Sequence, residues 1–240
     1  MRSSRSATDP LDPGPGGFCH RGLHGPGVPE NSLASFRAAI DLGLGIECDL
    51  QLSGCGTAMV FHDRDGRRLC ARPDVVANSS AEEMAGWSLL GTEETVPTLA
   101  AMLDLVAGRV PLLLEMKEEG RNGERIAAAT LAAMRDYDGP VGLMSFSARA
   151  MAFIRKVAPE VRRGLVLSGR DVPLRRWDKI RRSRPQFTAV KVSVAHQPWA
   201  QKMREDAPLY GWTARTGAEA RRLARHVDAT IWEGDGRPGP

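Results

Sequence analysis

Short apolar runs alternate with helix-period segments along the whole 240-residue chain, and no other feature restricts its fold as tightly. The runs at 18–21, 45–50, 110–117, 141–146, 163–168, 189–194, 209–214 and 229–233 read as strands. Between them, Leu99, Met102, Leu103 and Val106 recur at i, i+3, i+4 and i+7 after the start signal Pro97-Thr98. Leu33, Phe36 and Ile40 do likewise after Asn31-Ser32, and Ser147 is placed to cap the helix carrying Met151, Ile154 and Val157. Strands separated by helices pair in parallel through crossovers. Eight of them close a ring, so the expected fold is α/β, a TIM (β/α)8 barrel, and 240 residues suffice for one such domain.

One run breaks the rhythm. Residues 58–62 look like a strand, yet the stretch between Asp49 and His62 holds the turn-like Ser53-Gly54-Cys55-Gly56 and has no room for a crossover helix. A hairpin is expected instead, rising from the second strand and folding His62 back over the barrel mouth. Residues 64–96 then form an insertion with a short helix near 81–89, on the side where long loops commonly serve function. The domain is expected to span 17–233, with a flexible arm at 1–16 and a flexible Gly/Pro-rich tail at 234–240.

The net charge of +4 suits an anionic substrate but is too mild to argue for nucleic-acid binding. Cys19, Cys48, Cys55 and Cys70 show no C-x-x-C spacing, which points to reduced thiols in the cytoplasm. The first sixteen residues lack an apolar core and are not expected to act as a secretory signal, and no run approaches the length of a membrane span.

Chemistry gathers at the strand ends. Glu47 and Asp49 lie two apart on a strand, so both side chains share a face. Two carboxylates lining a barrel repel one another unless a cation sits between them. Glu115 ends another buried run, and three acids from two strands make a metal site whose oxygen-only donors suit Mg²⁺ or Ca²⁺. Lys117 shares the face of Glu115 and either holds phosphate or forms a structural ion pair. Arg21 offers a planar fork for phosphate oxygens, and histidine, the residue type at His20 and His62, is suited to moving a proton. A single histidine at a strand end is commonly structural; two at the same mouth as the acids point to proton transfer. His24, in a Gly/Pro loop, is either a substrate contact or an exposed loop residue, and Trp212 either packs on a substrate alcohol or fills the barrel top. His196 falls near a strand end and His226 on the surface. Arg175, Arg176, Lys179, Arg181, Arg182 and Arg184 cluster on one outer helix, read as a solvated face, with an anionic membrane surface as the competing reading.

At these residues the chain resembles the glycerophosphodiester phosphodiesterase family. The resemblance is carried by His20-Arg21-Gly22, Pro29-Glu30-Asn31, Ile46-Glu47-Cys48-Asp49, His62-Asp63, Val96-Pro97-Thr98-Leu99, Glu115-Met116-Lys117, Ser145-Phe146 and Trp212-Thr213 in that order. It implies a TIM barrel with a small insertion after the second strand. It also implies metal-dependent hydrolysis of glycerophosphodiesters to glycerol 3-phosphate and an alcohol. By position, Glu47, Asp49 and Glu115 correspond to metal ligands, His20 and His62 to the general acid/base pair, and Arg21 and Lys117 to phosphate contacts; Glu30 matches a position near the site. The alternative is phospholipase D-type cleavage of lysophospholipids on the same barrel. The expected partner is a small phosphodiester, with neither nucleic acid nor integral membrane association. The chain departs from the family at its last strand, which ends Trp232-Glu233-Gly234-Asp235 where a Thr-Asp-x-Pro-like pattern is common.

Overall fold

A computed structural model describes residues 9–239. Its strands in chain order are β1 (Phe18–His20), β2 (Gly45–Leu52), β3 (Ala58–Val60), β4 (Leu112–Met116), β5 (Val141–Ser145), β6 (Arg162–Leu167), β7 (Phe187–Lys191), β8 (Leu209–Ala214) and β9 (Ala229–Trp232). Among the described residues, all but β3 run parallel, each pairing with the next, and β9 returns to pair with β1. The ring is closed and eight-stranded, as the sequence rhythm predicts. β3 lies outside it, antiparallel to β2 through Leu50↔Val60 and Leu52↔Ala58, which is the expected hairpin.

The helices are α1 (Leu33–Asp41), α2 (Arg67–Cys70), α3 (Ala81–Ala85), α4 (Leu99–Val106), α5 (Gly123–Ala133), α6 (Ala148–Val157), α7 (Pro173–Ser183), α8 (Pro198–Asp206) and α9 (Gly217–Leu223). Ser32, Thr98 and Ser147 cap α1, α4 and α6 by accepting the backbone N–H three residues on, each contact contributing about 1 kcal/mol. None of these helices is long and apolar enough to cross a membrane.

Strand parity sorts the core into two layers. Phe18, Leu113, Val166, Phe187, Tyr210 and Ile231 fill the barrel, while Cys19, Ile46, Cys48, Leu112 and Leu114 face the helices. Gly164 has no side chain because Phe187 occupies the place; a Cβ there would lie 2.1 Å from its ring. The insertion keeps a small core of its own around Met59, Phe61, Met84 and Trp87.

Four sequence expectations need correction. The seventh strand starts and ends earlier than the 189–194 run, because Val192–Val194 leave the ladder for a 3-10 turn that still buries both valines. The last strand stops at Trp232 and leaves Glu233 just beyond it. Residues 1–8 of the proposed arm lie outside the described residues, as does Pro240, but 9–16 are packed rather than free. Leu11, 1% exposed, covers the inner apolar layer beside Phe18 and Leu113, and Asp9 pairs with Arg162 at 3.0 Å. An open barrel end leaves apolar surface in water, and this segment covers it. At the other terminus Gly234–Gly236 form a turn with Gly236 buried, so that part of the proposed tail is also ordered against the barrel.

Candidate active site

Strand register assembles the acids. His20 at the end of β1 pairs with Glu47 on β2, and Asp49 pairs with Glu115 on β4. Phe18 and Leu113, two residues earlier on their strands, belong to the inner layer. Parity therefore turns His20, Glu47, Asp49 and Glu115 into the barrel, directly beyond its apolar filling.

Glu47, Asp49 and Glu115 are all buried, and one oxygen from each lies within 4.8 Å of the others. Lys117 Nζ sits 2.8 Å from Asp49 Oδ1 and 2.7 Å from Glu115 Oε1. Arg21 Nε is 2.9 Å from Asp49 Oδ2, and Asn31 Nδ2 donates to the same oxygen at 3.0 Å. Burial works against ionisation of Asp49, but Lys117 and then Arg21 outweigh it and hold its carboxyl well below the usual range. Glu47 is treated differently. The Arg21 N–H approaches it at 3.4 Å and His20 Nε2 at 3.9 Å, both long. Burial, then the neighbouring Asp49 and Glu115 charges, push its pKa well up. A buried carboxyl without a short cationic partner, beside two other carboxylates, is a position that a hard divalent cation relieves, and the donors are all oxygen. The residues present fit such an ion.

His20 and His62 each have a carboxylate behind them. His20 Nδ1 lies 2.5 Å from Glu233 Oε2, and Arg215 Nε donates to Glu233 Oε1 at 2.6 Å. The hydrogen bond with His20 is the main cause holding the Glu233 carboxyl at about 2. His62 Nδ1 lies 2.7 Å from Asp63 Oδ1, and Gln51 Nε2 donates to the His62 and Asp63 carbonyls at 3.1 and 3.2 Å. With Nδ1 engaged in both rings, Nε2 is the nitrogen left for chemistry. His24 Nε2 comes within 4.0 Å of Glu233, and burial pulls its pKa below the ordinary value.

A cleft of about 970 Å³ opens at this end of the barrel. Its walls include Gln51, His62, Glu115, Lys117, Ser145 and Phe146, and on the far side Arg175, Asp178, Lys179 and Arg182 of α7. Trp212 is half-buried and packs edge-on against Phe146, ring centres 5.6 Å apart, which puts it behind the cleft wall. His196 meets His226 at 6.3 Å, and neither lines the cleft.

Three residues of the arrangement were given no role in the site by sequence reasoning. Glu233 is one, and its signal was a carboxylate directly following a buried strand. Asn31 is another: it adopts a left-handed backbone (φ 54°) and hydrogen-bonds Asp49. The third is Arg68 on α2, which donates to Glu30 at 2.8 Å from two nitrogens and to Asp63 at 2.6 and 2.9 Å. It ties the insertion to both loops that carry the histidines.

The sequence model of the glycerophosphoryl diester phosphodiesterase family matches residues 20–231. A glycerophosphodiester phosphodiesterase of Caldanaerobacter subterraneus subsp. tengcongensis is 30% identical over 161 residues, covering 62% of this chain and 65% of the relative. One from Bacillus altitudinis is 32% identical over 107 residues, 42% of this chain and 43% of the relative. The chain thus spans 65% of the first of these curated relatives and 43% of the second, less than two-thirds of either. Among solved structures, an Oleispira antarctica phosphodiesterase in complex with the product sn-glycerol-3-phosphate superposes with a TM-score of 0.81 at 21% identity, over 91% of this chain and 92% of that one. A glycerophosphodiester phosphodiesterase from Thermotoga maritima gives 0.74 at 21% identity, over 90% and 92%. At those identities the likeness is one of fold.

Proposed function

The chain belongs to the glycerophosphoryl diester phosphodiesterase family, and from that premise we propose that it hydrolyses glycerophosphodiesters to glycerol 3-phosphate and an alcohol such as choline or ethanolamine. The observation that carries this reading is a set of three buried carboxylates within 4.8 Å of one another, with His20 Nε2 beside one of them and Lys117 bridging the other two. Glu47, Asp49 and Glu115 would hold a divalent ion, Mg²⁺ or Ca²⁺, which when bound offsets charge developing on the phosphate oxygens.

The remaining steps belong to the chain's own residues. Arg21 spends Nε and Nη1 on Asp49 and Glu30, and its other N–H groups serve the phosphate together with Lys117. One histidine Nε2 takes the proton of the attacking oxygen, either water or the neighbouring glycerol hydroxyl, the latter giving a cyclic phosphate that water then opens to glycerol 3-phosphate. The other gives a proton to the leaving alkoxide. Glu233 and Asp63 hold the two rings in the tautomer this exchange needs and stabilise the imidazolium form. His24, beside Glu233, and Trp212, behind Phe146 of the cleft wall, are assigned to the alcohol end of the substrate. The four free thiols, two of them fully buried, support a cytoplasmic location.

The test is release of glycerol 3-phosphate from glycerophosphocholine and glycerophosphoethanolamine, with and without EDTA, for the wild type and His62→Ala. Activity lost both on chelation and in the variant is the expected result. Turnover indifferent to both would overturn the mechanism, and preferential cleavage of lysophosphatidylcholine would move the substrate to the phospholipase D class.

A further inference from the structure

The α7 segment is the least buried part of the barrel wall. Within Pro173–Ser183 only Ser183 is buried; Ile180 packs against the core, and Arg176 lies 4.1 Å over the Trp199 ring. Outward, the segment leaves three large apolar side chains in water: Val172 at 63%, Leu174 at 75% and Trp177 at 59% exposure. Leu174, Trp177 and Arg181 follow the i, i+3, i+7 spacing and so share one face, with the Arg181 guanidinium 5.4 Å from the Trp177 ring. Scattered single apolar residues on a surface need no explanation, but three within six positions do.

Charge is concentrated at the same place. Residues 170–184 carry seven cations (Arg170, Arg175, Arg176, Lys179, Arg181, Arg182 and Arg184) against Asp171 and Asp178, a net +5. The whole chain is only +4, so the rest of the molecule is slightly acidic and this segment holds all of its positive excess. The neighbouring face of α7, with Arg175, Lys179 and Arg182, lines the cleft that also holds His62 and Lys117.

An exposed Trp/Leu face flanked by arginines, on a helix of low overall hydrophobicity, has the composition of an element that lies in the headgroup region of a bilayer. We propose that residues 170–184 seat the protein on an anionic lipid surface, with the α7 side of the cleft brought against it. A second copy of this chain fits the patch poorly, because +5 would face +5. A nucleic acid would use the arginines but leave Leu174 and Trp177 without a role. The assignment is independent of the chemistry in the cleft, and it gives the site access to phosphodiesters borne on, or shed from, a membrane.

The experiment is sedimentation of the full chain with vesicles of pure phosphatidylcholine and of equal parts phosphatidylcholine and phosphatidylglycerol, over a sodium chloride series. Quenching of Trp177 by brominated lipid is measured alongside, with Trp177→Phe as the control. Binding should require the anionic lipid, weaken with salt, and quench the fluorescence that Trp177→Phe lacks. Reversing Arg181 and Arg184 together (Arg181→Glu with Arg184→Glu) should weaken it at least about tenfold, since each surface cation is worth roughly fivefold. Leu174→Glu with Trp177→Glu should abolish insertion. Both double variants should turn over soluble glycerophosphocholine as the wild type does, which also shows that they fold. Equal binding to neutral vesicles, or unquenched Trp177 in bound wild type, would overturn the proposal. So would lipid-free self-association lost in the apolar variant, or salt-sensitive capture of a duplex oligonucleotide that the apolar variant retains.

Discussion

Glu233→Gln tests the view that the last strand contributes to catalysis by holding His20. In the wild type the carboxylate takes His20 Nδ1 at 2.5 Å and Arg215 Nε at 2.6 Å. Glutamine keeps the shape and can still accept from Nδ1–H, so what it removes is charge. A hydrogen bond to an ionised group contributes about 1.5–3 kcal/mol and a neutral one about 0.5–1.5, leaving a difference of about 1–2 kcal/mol. This difference appears when His20 becomes an imidazolium, so it falls on the barrier rather than on substrate binding. At about 1.4 kcal/mol per factor of ten, kcat should fall roughly five- to thirtyfold. Glu233→Ala also leaves Nδ1 without an acceptor in a site where His20 is 9% exposed, and that adds about 1–3 kcal/mol. The two together come to about 2–5 kcal/mol, so its kcat should fall about thirtyfold or more.

The assay is steady-state release of glycerol 3-phosphate from glycerophosphocholine at saturating metal, with kcat and KM separated. KM should stay within about twofold, because the short contact of Glu233 is with His20 at 2.5 Å, whereas His24 lies 4.0 Å away. Arg215→Ala serves as the control. Arg215 is 62% exposed, and an exposed ion pair is worth about 0–1 kcal/mol, so kcat should barely move. The reasoning is refuted if Glu233→Gln matches the wild type in kcat, or if its defect lies wholly in KM.

The same pair makes a stability prediction. The Glu233 carboxyl sits at about 2, below its ordinary value of 4.5, so its contribution to folding is complete above about 4.5 and is lost as pH falls towards about 2. Glu233→Gln should therefore melt below the wild type near neutrality, and the gap should close at about pH 2–3; a gap that widens in acid would contradict the assignment. His20→Ala and His62→Ala should each lose about 10²–10⁴ in rate, but only the general-acid variant should recover on bis(p-nitrophenyl) phosphate, whose leaving group needs no proton. Recovery of both, or of neither, would refute a division of labour between them. Leu11→Ala empties a site that is 1% exposed and should cost about 2–5 kcal/mol, read as a lower urea midpoint at unchanged slope. A loss below about 1 kcal/mol would show that 9–16 do not hold the barrel end shut.

What the sequence disclosed, and what it hid, follows from how each residue is constrained. Parallel strands in a ring are covered on both faces, so they spell continuous apolar runs, and the ring could be read directly. Acids that interrupt such runs stand out for the same reason: Glu47, Asp49 and Glu115 are costly where they are unless something cationic faces them. The seventh strand was misplaced because Val192 and Val194 are buried by a turn as fully as a strand would bury them, and three residues are too few for period to separate the two. Polar partnerships obey no such local rule. Arg68 resembles any exposed arginine on a four-residue helix until the insertion folds and brings it to Glu30 and Asp63. Glu233 and Asp235 are alike as letters, two acids after the last strand. What distinguishes Glu233 is the closure of β9 onto β1, which brings residues 213 positions apart to within 2.5 Å. Half of the site can therefore be read from single strands. The half that sits behind the histidines exists only once the ring is shut, so the pairing that completes the fold also brings Glu233 to His20.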